Sequence, residues 1–490
     1  MSELDRRENG VRARDQDADP AAADLPPGPS GLPVVGSTVA ASRDGVGFGE
    51  RLTSYGDVVS YSAFGRDFVA VFDPAVVETV LVSANDAFEK GEFETAFGDL
   101  VAPEGVVFAE GERWRRQRTA LQSAFTPERI RRYADEMVAH TAATADDWDD
   151  GETVELGDAF GALTLRILTR ALFDLDLDAE RGAVVREAAR AVHAVVDQFG
   201  LLSFLPAWVP TPTDRRHERA MADLDALVAE LVEERREGVA RSATEPTSGD
   251  EPRVAPDRDD LLSLLVAAAD ADETGMEPAA IRDQLVTFLF AGHETTATAL
   301  TYACWLLAGN PDARERLDAE LDAVLGDRDP TFADLPDLDY VEGIAREALR
   351  LYPPVYSLYR QPKEDIVLGG YRIPADATLQ LATYNVQRDD RWWDDPEQFR
   401  PERWTGSEAP ETSRRGERGS RERPEYAYFP FGGGPRHCIG MRFAMTELQL
   451  ALATLARRVE FERVTAELDL SMGLTLDPGP VEVRVRKKRA

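Results

Sequence analysis

Hydrophobic and polar positions recur with a helical period over most of this chain. The longest run lies between Glu277 and about Gly309, where no proline intervenes and Ile281, Leu285, Phe288, Leu289, Gly292, Thr296 and Ala299 follow one another at helical spacing. At 1.5 Å per residue such a helix is roughly 50 Å long, enough to cross a whole domain. It is expected to be the central packing axis. A second apolar-periodic run, MRFAMTELQLALATLA, begins at Met441. Alternation of period two is confined to short stretches. Positions 58–64 and 67–72, joined by Gly65-Arg66, read as a hairpin, and further strands are expected at 366–373, 378–384 and 481–486. The fold class is therefore mainly α with a small β region, without a repeat of solenoid period.

Polar and proline-rich segments set the organisation. Positions 1–24 are charged throughout and read as a disordered acidic lead; LPPGPSGLPVVG at 25–36 reads as an extended entry. Positions 25–490 read as one domain, with mobile surface loops near 241–259 and 406–425, each followed by residues of the buried type. Hydrophobic residues make up 43% of the chain, enough for a core and too many for wholesale disorder.

Charge narrows the range of partners. Ninety acidic against 56 basic side chains leave a formal charge of −34, which repels phosphate backbones and anionic lipid heads. A general nucleic-acid-binding role is excluded, and small hydrophobic partners are favoured. The start of the chain has neither the apolar core of a signal peptide nor the roughly 18 apolar residues of a membrane span, so a cytoplasmic protein without a membrane is expected. Only Cys304 and Cys438 carry thiols, which excludes a disulfide framework and a clustered zinc site and suits a reducing compartment. Lys90, Lys363, Lys487 and Lys488 are the lysines; every other cation is arginine. An acidic, lysine-poor surface is what a halophilic protein carries in salt. Codon bias in a GC-rich genome supplies the same residues, and collapse of the fold on salt withdrawal separates the two.

The richest chemistry lies in Phe429-Pro-Phe-Gly-Gly-Gly-Pro-Arg-His-Cys-Ile-Gly440, just ahead of the run from Met441. Its glycines let the backbone turn tightly and approach a flat partner. Amides at a helix start are expected to lower the pKa of Cys438. A thiolate held that way suits an axial ligand to haem iron; a lone cysteine beside a glycine turn is otherwise an inert buried thiol. The joint pattern Phe431, Gly434, Arg436, Cys438, Gly440 is far more constrained than that.

Here the chain resembles the cytochrome P450 family, whose haem loop reads Phe-x-x-Gly-x-Arg-x-Cys-x-Gly and is matched at every fixed position. The resemblance extends over nearly the whole chain and implies the cytochrome P450 fold with the long helix over haem b, and Cys438 as the iron ligand. Glu347-Ala-Leu-Arg350 would say little alone, since Glu112…Arg115 and Glu233…Arg236 share its spacing as solvated pairs. Followed by Leu351-Tyr352-Pro353-Pro354 and Pro401-Glu402-Arg403-Trp404, it implies a buried ionic trio of Glu347, Arg350 and Arg403. Trp114 and Arg118 share a helix face, and the resemblance assigns them, with Arg436 and Arg360, to the haem propionates. Arg115 and Arg116 turn away, as solvated charges or as a docking patch for an acidic electron donor. Ala291-Gly292-His293-Glu294-Thr295-Thr296 matches the oxygen-activation segment: Ala291 and Gly292 leave room for dioxygen, and Glu294 and Thr295 relay protons. A zincin reading of His293-Glu294 fails because Ala297 stands where its second histidine belongs.

No phosphate-binding glycine loop and no flavin or nicotinamide region is legible, so the resemblance implies electrons from a ferredoxin-type donor and its reductase. The expected function is an oxidoreductase, a monooxygenase inserting one atom of O₂ into a hydrophobic small molecule. A peroxide-driven hydroxylase of the same fold is the first alternative, opposed by Glu294-Thr295. A non-catalytic haem-thiolate sensor is the second, separable by oxygen consumption. Phe93, Phe97, Val107, Phe108, Phe290 and Val355 are candidate substrate contacts, which ordinary core packing explains equally well.

Overall fold

The structure, a computed structural model, describes residues 20–33, 35–202, 211–244, 260–270, 278–405 and 423–488. The proline-rich entry runs along strand β1 (Val58–Ala63), where Ser60 donates its amide to Pro27 O at 2.8 Å and its hydroxyl to Pro26 O at 2.7 Å. Strand β2 (Arg66–Val71) closes the expected hairpin, with Phe64 and Gly65 at positive φ in the turn. Strand β3 (Phe88–Glu89) completes the first third of the chain's contribution to the sheet.

Helices build the rest. Helix α1 (Gly111–Gln122) carries Trp114 and Arg118; α2 (Pro127–Asp147) starts on a proline at its first turn, where the missing amide costs nothing. Strand β4 (Thr153–Glu155) leads into α3 (Leu156–Phe173), capped by the Glu155 carboxylate accepting from the Gly157 and Asp158 amides. Helices α4 (Ala179–Leu202) and α5 (Pro212–Thr244) pack against each other. The long axis is α6 (Pro278–Ala308), in which Ile281, Leu285, Val286, Leu289, Ala299 and Leu300 are buried on several sides, because α3, α5 and the later helices surround it. Asn310-Pro311 ends it.

Helix α7 (Asp339–Leu351) stops one residue before Tyr352-Pro353. It delivers the chain to β5 (Leu358–Pro362), the hairpin of β6 (Ile366–Leu368) and β7 (Tyr371–Ile373), and β8 (Thr378–Leu381). The five-stranded sheet has the order β1-β2-β8-β5-β3, with β2 and β8 parallel. Helix α8 (Met441–Arg458) packs on α2 and runs into β9 (Val459–Arg463); a ribbon of β10 (Ser471–Met472) and β11 (Leu476–Asp477) follows, then β12 (Glu482–Lys487), which lies between β4 and β9.

Several boundaries differ from expectation. The expected strand at 366–373 is two strands, because Gly369 and Gly370 both take positive φ and fold it back. The strand expected at 378–384 ends at Leu381, and Thr383–Val386 is a helical turn. The polar stretch from 241 starts inside α5, which continues to Thr244; 245–259 lies outside the described residues, as do 406–422 of the second stretch and 1–19 of the acidic lead. The end of that lead is structured, since Pro20–Ala22 forms a 3-10 turn and Asp24 O accepts from the Arg372 amide at 2.9 Å. Among the described residues no helix is long and apolar enough to cross a membrane.

Candidate active site

The loop before α8 is shaped by its glycines. Gly434 has φ +61°, and a Cβ there would lie 1.9 Å from Leu81 O, so no other residue fits without moving backbone. Gly432 is also left-handed at +71°. The Cys438 amide donates back to Phe431 O at 2.9 Å, which closes the loop and sets the sulfur on the wall of a cavity of about 1300 Å³. Phe431, Gly440, Trp114, Arg118, Arg360 and Arg436 border the same cavity, so the structure brings the predicted loop and charge positions together.

The thiol itself departs from expectation. Its sulfur opens onto the cavity, yet protein encloses the position, and burial pushes the pKa up; the Gly440 amide and the Arg118 guanidinium pull it back only in part. Gly440 is the N-cap of helix α8 (Met441–Arg458), so the helix start does lower the thiol pKa, by less than burial raises it. Among the described residues no cluster of three or more His, Cys, Asp or Glu side chains could hold another metal ion, and Cys304 is buried in the helical core.

One end of the cavity concentrates positive charge. Arg436 lies 4.4 Å over the Trp114 ring, donates to Ala109 O at 2.8 Å and pairs with Glu110 at 2.7 Å. Arg360 stands 3.8 Å from Glu94, which Lys90 Nζ meets at 2.6 Å. Arg118 Nη2 approaches His437 Nε2 at 3.3 Å. Four cations thus face two carboxylates, Glu94 and Glu110, an excess of two positive charges. Lys90, Glu94 and Glu110 escaped the sequence reading as site residues, and His437 has neither the spacing of a metal ligand nor the placement of a nucleophile's partner; the signal available for Lys90 was its rarity as a lysine. Arg115 and Arg116 are exposed, Arg115 beside Glu112.

On the opposite wall α6 presents Ala291, Gly292, Thr295, Thr296 and Ala299. The Thr295 hydroxyl donates to Ala291 O at 2.8 Å, the common back-bond of a helical threonine, and leaves its oxygen lone pairs facing the cavity. Gly292 has a second use besides the room it leaves at the cavity wall: a Cβ there would lie 2.6 Å from Leu168 Cδ1 of α3, so its smallness also serves the close packing of α3 on α6. Glu294 does not border the cavity. Its carboxylate is turned to His193 on α4 and to Thr475, whose hydroxyl donates to it at 3.3 Å. Sequence reading missed His193, which nothing in its neighbourhood marks.

Phe93, Phe97, Val107, Phe108 and Val355 line the cavity, joined by Phe288; Phe290 packs in the helical core instead. Beneath the loop, Glu347, Arg350 and Arg403 meet at 2.8–3.1 Å with all three side chains buried. Gln387 links this trio to the loop, since its amide donates to Leu349 O and Arg350 O and its oxygen accepts from the Phe429 amide at 3.0 Å.

Comparison with known proteins agrees with this architecture. The family pattern Cytochrome P450 matches residues 26–485. Cyclooctatin synthase of Streptomyces melanosporofaciens is 35% identical over 88% of this chain and 88% of its own. Pentalenene oxygenase of Streptomyces avermitilis is 32% identical over 90% of this chain and 91% of its own. The structure of retinoic acid bound cyanobacterial CYP120A1 superposes with a TM-score of 0.79, covering 95% of this chain and 100% of that one at 24% identity, and shows the shared fold. Matched over nearly its whole length, this chain belongs to the cytochrome P450 family of haem-iron monooxygenases.

Proposed function

We propose that this protein is a cytoplasmic monooxygenase that binds haem b, takes electrons from a ferredoxin-type donor and its reductase, and oxidises an apolar substrate of the terpene class. The observation that carries the reading is the Cys438 sulfur opening onto a cavity of about 1300 Å³ also lined by Phe93, Phe97, Phe108, Phe288 and Val355. Terpene oxygenases among the relatives support the substrate class. The residues present fit the cofactor: Cys438 would hold the iron, the bends at Gly432 and Gly434 give a flat ring close access to backbone, and the two surplus charges of Lys90, Arg118, Arg360 and Arg436 match two propionates. When bound, haem supplies the activation of dioxygen.

The chain's own residues supply the rest. Apolar walls exclude water and orient a substrate that offers few polar handles. Thr295 Oγ1, fixed by its bond to Ala291 O, holds a proton acceptor at the cavity face. The Glu347–Arg350–Arg403 trio and Gln387 stiffen the loop from below.

The test is an optical titration of the ferric protein at high salt with terpenes, steroids and fatty acids, paired with Cys438→Ala. Terpenes are expected to displace the iron-bound water at the lowest concentrations, and the alanine variant to lose the thiolate-type spectrum of the ferrous–CO complex. A response to fatty acids alone overturns the substrate class, and a surviving thiolate spectrum overturns the ligand. The peroxide-driven alternative gains one observation, the withdrawal of Glu294 from the cavity; turnover faster with hydrogen peroxide than with the electron-transfer proteins would make it the better reading.

A further inference from the structure

The five-stranded sheet sets a row of hydroxyls into an otherwise apolar face. Tyr61 on β1, Phe68 on β2, Gln380 on β8 and Tyr359 on β5 share that face, since Tyr61 pairs with Phe68, Ala70 with Gln380, and Gln380 with Tyr359. The rings form a floor. Tyr61 stacks on Phe68 at 5.2 Å, Phe68 meets Phe93 edge-on at 5.6 Å, and Phe93 meets Tyr359 at 4.7 Å. Tyr61, Phe68, Phe93 and Tyr359 all border the cavity, joined by Tyr356 and Ser357 just ahead of β5. An apolar floor needs none of these oxygens.

The protons of the row can be counted. Tyr61 donates to Gln380 Oε1 at 2.7 Å, Gln380 Nε2 donates to Ser357 Oγ at 3.0 Å, and Tyr356 donates to Gly473 O at 2.8 Å. The Tyr359 hydroxyl hydrogen-bonds with those of Tyr356 and Ser357. A hydroxyl has one proton, and that of Tyr356 is held by Gly473 O, so Tyr359 donates to Tyr356 and Ser357 donates to Tyr359. All four hydroxyl protons are thereby taken within the protein. What remains on Tyr61, Ser357 and Tyr359 are lone pairs. Burial pushes the Tyr61 and Tyr359 hydroxyls up in pKa, so neither becomes a phenolate near neutral pH. The row is neutral, is tied to backbone at Gly473, and accepts hydrogen bonds without offering any.

We propose that this row is a subsite for a hydroxyl group, in which Tyr61, Ser357 and Tyr359 accept from an alcohol whose skeleton packs on the aromatic floor. The substrate is then an apolar alcohol and not a bare hydrocarbon. A hydrocarbon laid over the row would strip water from these lone pairs and put nothing in its place, whereas an alcohol supplies the missing donor. Ketones and ethers have no proton to give, and a carboxylate brings only further acceptors. One fixed polar point also orients a skeleton that apolar packing alone would leave free to turn. The reaction that supplies such a substrate is one that places a hydroxyl on an apolar skeleton, either an earlier hydroxylation or a ring closure ended by water.

This inference rests on the cavity being the substrate site of a monooxygenase, and not on the terpene skeleton. Its test is an optical titration of the haem-loaded protein with two matched sets: menthane, menthol, menthone and menthyl methyl ether, and dodecane, dodecanol, dodecanone and dodecyl methyl ether. Displacement of the iron-bound water is the signal. The set that responds reports the skeleton, and the order within it reports the hydroxyl, so the two readings fail separately. Within the responding set the alcohol is expected to bind about fivefold or more tighter than the other three members, the worth of one net hydrogen bond. In Tyr61→Phe, Ser357→Ala and Tyr359→Phe the ratio of alcohol to hydrocarbon affinity should fall toward one; a general loss of packing weakens both ligands and leaves that ratio alone. Equal affinities across the parent's set, tighter binding of the ketone, or a ratio that survives all three substitutions overturns the hydroxyl subsite.

Discussion

The Glu347 carboxylate meets five donors: Arg350 Nε and Nη2, Arg403 Nε, Trp404 Nε1 and the Arg400 amide. Every lone pair of a charge placed in a dry interior is thereby occupied, which is the condition under which burying it is tolerable. Removing one member strands the others. Arg403→Ala and Glu347→Gln should each cost about 3–5 kcal/mol, read as a lowered denaturant midpoint together with poor haem retention. Normal values in both variants would refute a supporting role. The trio was legible only through the family resemblance, since Glu347…Arg350 alone shares its spacing with the pairs Glu112…Arg115 and Glu233…Arg236. His193 was not: it lies 101 residues from Glu294, and which way a helical carboxylate turns depends on the helix packed against it. Phe290 failed for the same reason, since a hydrophobic pattern gives a helix face and not the neighbour that fills it.

Among elements, the contact of α3 with α6 is the tightest test of packing. The missing side chain of Gly292 is what lets Leu168 lie against α6, and Leu168 also borders the cavity. Gly292→Ala must push Leu168 aside, at about 1–3 kcal/mol for an overpacked core, and the displaced leucine should weaken binding of bulky ligands in the optical titration. Leu168→Ala in the same chain should restore binding of bulky ligands, though not stability, since truncating a buried leucine itself costs about 2–5 kcal/mol; binding that stays weak would point to the backbone of α6 instead. The long helix and the β1–β2 hairpin were legible because their periodicity is strong and their turns carry glycine. Short strands such as β3, β10 and β11 were not, since two residues hold no period and exist only through their partners.

For the whole molecule the formal charge of −34 dominates. Ion pairs on the surface, such as Arg51–Asp44 and Arg66–Glu92, are largely exposed and contribute only about 0–1 kcal/mol each, too little to offset repulsion among so many carboxylates. Raising salt should therefore raise the unfolding midpoint continuously, by screening that repulsion. Thermal unfolding followed from low to molar salt checks this; a midpoint indifferent to salt would assign the arginine-rich, acidic composition to codon usage.

The parallel pairing of β2 with β8 and the meeting of Arg118 with His437, 319 residues apart, carry a consequence for biosynthesis. The first cannot form until the ribosome has delivered β8, and the second not until it has delivered the haem loop, long after α1 and the first hairpin have emerged. Closing so long a loop is slow, and the partly made chain exposes apolar surface meanwhile. The walls around Cys438 are therefore complete only when nearly the whole chain has been made.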